Sequence, residues 1–197
     1  MWIFSLIFIF LTTIFSVAVN LKNVPEKIRS YKSYFGYFYL FLVIVLVGYS
    51  TYLTYGQLFL WKNSDPGKYL LPPYTPVIYF ITYAFYKFWS HFLAALIFSL
   101  IILLLAVYFN KKRGGIHFYE EEPYYIAIAI LAVGYPGWLV YFGLILVAPF
   151  LFSIFYFLFS KKTARISYYY LWLALAFFSI LISRWLSTFW WWGKLII

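Results

Sequence analysis

Three consecutive glutamates, Glu120, Glu121 and Glu122, followed by Pro123, are the residues of this chain best suited to chemistry. They are three of its five acidic residues, so its capacity for carboxylate chemistry is concentrated at one point. Crowded carboxylates resist simultaneous ionisation, which lets one member hold and pass a proton, as a general acid or base must. The same residues suit a structural part. Acidic groups are favoured at a helix N-terminus, Pro fits its first turn, and the cluster can neutralise Lys111, Lys112 and Arg113 across the intervening loop.

A second candidate is the pair Lys87 and His91. Four residues apart, they share one face of an α-helix, where they can mark a polar pathway or receive an anionic group; snorkelling of Lys87 to an interface explains it equally well. His117 lies in a glycine-containing loop, and neither it nor His91 stands at a ligand spacing, so no metal or cofactor is expected. Cysteine is absent from the sequence, which removes thiolate sites and cysteine nucleophiles. No phosphate-binding glycine loop, HExxH pair or nucleophile motif appears.

Positioning these groups falls to elements made for an apolar solvent. The chain of 197 residues is 66% hydrophobic and 10% charged, against about 45–50% and about 25% in soluble domains. That composition cannot coat a globule in water and predicts a single integral membrane domain over residues 1–197. The formal charge of +10 does not point to nucleic acid. Its Lys and Arg residues cluster in short loops between apolar runs, as in cytoplasmic loops of membrane proteins, and the expected partners are membrane lipids and other membrane proteins.

Apolar runs then lay out the spans. Trp2 to Val19 is the first, with no basic residue before it and Lys22, Lys27, Arg29 and Lys32 after it, which fits an uncleaved span. Phe35 to Tyr55 is the second, and Gly56 to Pro73 reads as turn and loop. Thr75 to Tyr86 reads as an interfacial or tilted helix leading into a span from His91 to Phe109. Gly134, Tyr135, Pro136 and Gly137 break the next stretch into a short helix, Pro123 to Val133, and a span, Trp138 to Phe159. The last span runs from Ser167 to Phe189. The expectation is an all-α, polytopic transmembrane bundle of about six spans in the cell membrane. Its basic loops, at 20–34, 110–122 and 160–166, are cytoplasmic, and both termini lie outside. About 11 residues are too few to cross the hydrocarbon alone, so the short helix needs tilt, an extension or shelter.

This order of features resembles the type IV prepilin and preflagellin peptidases, six-span aspartyl proteases of the GxGD type. In that family the first span ends in an aspartate followed by basic residues; here the matching stretch is Asn20, Leu21, Lys22, Asn23, Val24, Pro25. The second aspartate closes a glycine-rich loop before a short helix, a glycine–proline break and another span, which Gly114 through Gly137 resembles. Lys161 to Tyr170 matches a basic loop and last span. The resemblance implies a two-carboxylate site acting on a prepilin-like substrate. In this chain Asn20 occupies the first position, and Gly115, Ile116, His117, Phe118 is not GxGD. An aspartyl mechanism needs two carboxyl groups sharing a proton. Glu120, Glu121 or Glu122 can supply one, and Glu26 reaches the other place only if the first loop folds back.

Two expectations follow. One is a prepilin peptidase-like membrane protein with a degenerate site, inactive or altered around the glutamates, in which the cluster faces Asn20 and Glu26. The other is a non-enzymatic subunit or scaffold of a membrane complex, in which Gly36, Gly48, Gly134 and Gly143 or exposed aromatic faces contact partner helices.

Overall fold

The structure is a computed structural model and describes residues 2–21, 31–112, 121–160 and 171–193. Regular structure in these residues is helical throughout. In chain order the helices are α1 (Trp2–Leu21), α2 (Tyr31–Asn63), the single turn α3 (Asp65–Lys68), α4 (Val77–Ala84), a π-helical segment (Phe85–Trp89), α5 (Ser90–Lys112), α6 (Glu122–Val133), α7 (Trp138–Ser160), α8 (Leu171–Leu186) and α9 (Trp190–Gly193).

Helix α6 is the core of the fold. From Glu122 to Ala132 all its residues but Tyr124 are buried, because α1, α2, α5, α7 and α8 pack around it. This is how a helix of 12 residues, about 18 Å long at 1.5 Å per residue, is accommodated: its neighbours shelter it. Small residues permit the close approach. Ala127 and Ala129 are fully buried, and α5 turns Ala95 and Ser99 inward, as expected where packing rather than hydrophobicity holds helices together. Ser99 donates to the carbonyl oxygen of Ala127 at 2.8 Å and shares a 3.1 Å hydrogen bond with the Tyr39 hydroxyl. Two other buried hydroxyls bond within their own helix, Thr12 to the Phe8 carbonyl and Ser179 to that of Leu175.

The sheltered helix ends at Gly134, whose φ of +72° is a conformation that a Cβ disfavours. Three residues later a Cβ on Gly137 would fall 2.9 Å from Ser183 Oγ and 2.8 Å from Val133 Cγ1. Both glycines are therefore needed where α6 turns into α7 against α8.

On α2 the inward face carries Phe35, Tyr39, Leu42, Leu46 and Ser50, while Tyr37, Leu40, Phe41 and Ile44 face out, a helical stripe at three- and four-residue spacing. Two segments, Tyr34–Asn63 and Val77–Lys112, are long and apolar enough to cross a membrane, and only 22% and 17% of their most apolar windows are buried. Both exceed the spans read from sequence. Gly56 and Gln57 do not end α2, which continues to Asn63 because Trp61 packs on Tyr79, Phe80 and Tyr83 of α4, with ring centroids 4.9–6.2 Å apart. Likewise Val77–Lys112 is one continuous helical run, with no break between the Thr75–Tyr86 segment and the span that it leads into. The ends of α2 and α4 thus make a hairpin beyond the bundle with a small core of its own, Leu71, Phe80 and Ala84.

Candidate functional site

The two ends of α6 gather the polar groups of the bundle. At its start Pro123 occupies the first turn, and the Tyr124 and Tyr125 amides bond to the Glu121 carbonyl oxygen at 3.0 and 3.2 Å. Glu121 is half-buried, whereas Glu122 is only 4% exposed. One turn on, the fully buried Tyr125 shares a 2.8 Å hydrogen bond with Ser16 of α1 and meets Phe35 of α2 edge-on, centroids 4.7 Å apart. Gly36 leaves room for Tyr124, which would lie 3.6 Å from a Cβ there.

Ring contacts fix the direction of these helices. Phe8 packs on Phe38 at 5.1 Å while Ser16 and Phe35 both reach Tyr125, so α1 runs antiparallel to α2. Tyr125 and Ala127 meet successive turns of α2, through Phe35 and, by way of Ser99, Tyr39, so α6 runs parallel to α2 and antiparallel to α1. Asn20 is one helical turn beyond Ser16, and Glu122 lies one turn before Tyr125. The backbone therefore brings the Asn20 position and Glu122 to the same end and level of the bundle.

Depth follows from α5. Ser99 meets Ala127, and His91 stacks on Tyr135 with centroids 6.0 Å apart, which sets α5 and α6 antiparallel and in register. Along α5 the first charge beyond Ser99 is Lys111, about 18 Å away; along α6, Glu122 is only about 8 Å from Ala127, at 1.5 Å per residue. Glu122 therefore sits about 10 Å inside the charged end of α5, alongside the Leu103–Phe109 stretch.

At the far end of α6, His91 turns inward against Tyr135 and Lys87 stays exposed on the π-helical segment. Lys87 lies in the π-helical segment and His91 in the first turn of α5, the one exposed and the other half-buried. His91 Nδ1, Trp138 Nε1 and Ser183 Oγ are buried there without a hydrogen-bond partner among the described residues. Asp65 lies in the hairpin, paired with Lys68 at 2.6 Å. Glu26, His117 and Glu120 lie outside the described residues, as does the side chain of Asn20. Among the described residues no three His, Cys, Asp or Glu side chains group as metal ligands.

Of the glycines expected at partner interfaces, Gly36 faces α6 of its own chain, while Gly48 and Gly143 have open space around them. Sequence reasoning did not single out Ser16, Tyr39, Ser99 or Tyr125. The signal was a hydroxyl set inside an apolar run, but one run alone does not show which hydroxyls meet. Comparison with known protein families, curated proteins and solved structures returns no match.

Proposed function

We propose that the chain is a polytopic integral membrane protein with the helix order of the prepilin peptidases and an altered, non-proteolytic site centred on Glu122. The observation that carries this reading is the buried carboxyl group of Glu122 at the start of a sheltered half-helix, level with the α1 position where that family has its first aspartate. An ionisable group at such depth is costly in lipid and marks a functional place by default. Its surroundings agree with a lipid solvent, since Leu146, Phe150, Phe155 and Leu158 of α7 are each at least 60% exposed, and apolar patches of that extent are rare on soluble monomers.

One carboxyl group can give or take a proton, but it cannot form the proton-sharing pair that activates water. Asn20 offers an amide where the partner carboxylate belongs. The long α7 face favours a second reading, a subunit of a membrane complex, which purification as an unaccompanied monomer would remove.

The test is processing of a co-expressed prepilin-like substrate by wild type and by Glu121→Gln and Glu122→Gln. All three are expected to leave it uncut. Cleavage by wild type that disappears in Glu122→Gln would overturn the proposal and establish an active peptidase.

A further inference from the structure

The Glu122 site leaves Lys87 unused, and the surface around it is shaped. A groove of about 380 Å³ runs along the outer end of the Val77–Lys112 helix, lined by Tyr79, Thr82, Tyr83, Tyr86 and Lys87. Its size falls in the range of about 300–1,000 Å³ common for small-ligand sites. Three of these lining residues are tyrosines, and the one charged residue among them is a cation. The described carboxylates are elsewhere: Asp65 pairs with Lys68 in the hairpin, and Glu121 and Glu122 lie at the other end of the bundle. The positive charge of Lys87 thus faces the surroundings without a countercharge among them.

Position names the occupant. From Lys87 to Lys111 the run is helical throughout, which sets the two cations about 36 Å apart at 1.5 Å per residue. A bilayer has a hydrocarbon core of about 30 Å and measures about 40–45 Å with its headgroups. When Lys111 and Lys112 lie at one headgroup layer, Lys87 lies at the other, and Tyr86, Tyr83 and Tyr79 extend from it away from the hydrocarbon. Tyrosine suits that depth.

We infer that this groove is a binding site for the anionic headgroup of a phospholipid in the outer leaflet, with Lys87 on the phosphodiester and the three tyrosines against the rest of the headgroup. The inference rests on the membrane reading of the long helices but not on the Glu122 site. The two fail separately, since a chain that stays soluble without detergent defeats the first, whatever the groove binds.

The probe is phosphatidylglycerol, added to the purified full-length protein in detergent and compared with phosphatidylcholine by native mass spectrometry. Wild type is expected to retain one phosphatidylglycerol in preference to phosphatidylcholine. Lys87→Gln should weaken that retention about fivefold, the worth of one lysine at an anionic surface. Tyr83→Phe combined with Tyr86→Phe keeps the rings and should weaken it as well, while Lys68→Gln, which removes a cation already paired with Asp65, should leave it unchanged. Equal retention of the two lipids, indifference to Lys87→Gln, or full displacement by millimolar inorganic phosphate would overturn the inference.

Discussion

Leu104→Arg is expected to cost about 2 kcal/mol of membrane insertion, somewhat less than an Arg at the helix centre, and to lower the folded protein in the membrane fraction. Leu104 is 67% exposed and lies five residues beyond Ser99 on α5, close to the level of Glu122. If water covered that surface, the same substitution would change stability by no more than about 0.5 kcal/mol. The two solvents therefore differ by more than tenfold in the equilibrium measured. Tyr74→Arg, at a 65% exposed residue of the hairpin, supplies the control and is expected to be neutral. Membrane-fraction yield and folded fraction in bicelles read both variants.

Tyr125→Ala should remove about 3 kcal/mol of stability, the low end of the range for truncating a buried aromatic. The low end applies because a lipid-solvated chain loses packing rather than hydration when the ring is deleted. Tyr125 is fully buried at the level where α1, α2 and α6 meet, so the loss is shared by its edge-on contact with Phe35 and its hydrogen bond to Ser16. Tyr125→Phe keeps the ring and isolates the hydrogen bond, which should be worth about 0.6 kcal/mol between membrane helices. A double-mutant cycle with Ser16→Ala measures that coupling. If Tyr125→Ala and Tyr125→Phe proved equally mild, the ring would not be holding the helices around Glu122 together.

The parts of this architecture that were readable in sequence are those with punctuation. Gly134, Pro136 and Gly137 mark the break between α6 and α7, and the observed bounds Glu122–Val133 and Trp138–Ser160 lie within a residue of those expected. Apolar residues on every side of a helix carry no such mark. The reach of α2 to Asn63 depends on Trp61 finding the rings of α4, a contact that local periodicity does not encode. Nor does a run of three identical residues say which one is buried. Burial of Glu122 follows from where Pro123 starts α6 and from how deeply the neighbouring helices seat it.

The proposed membrane fold, with its basic loops on one side, has a directly measurable topology because the sequence contains no cysteine. Single cysteines are introduced as Tyr74→Cys, Lys112→Cys and Thr188→Cys and labelled on intact cells with a membrane-impermeant maleimide. Tyr74→Cys and Thr188→Cys are expected to react at once, and Lys112→Cys only after permeabilisation. Labelling of Tyr74→Cys and Lys112→Cys from the same side, or recovery of all three in a membrane-free supernatant, would contradict the account.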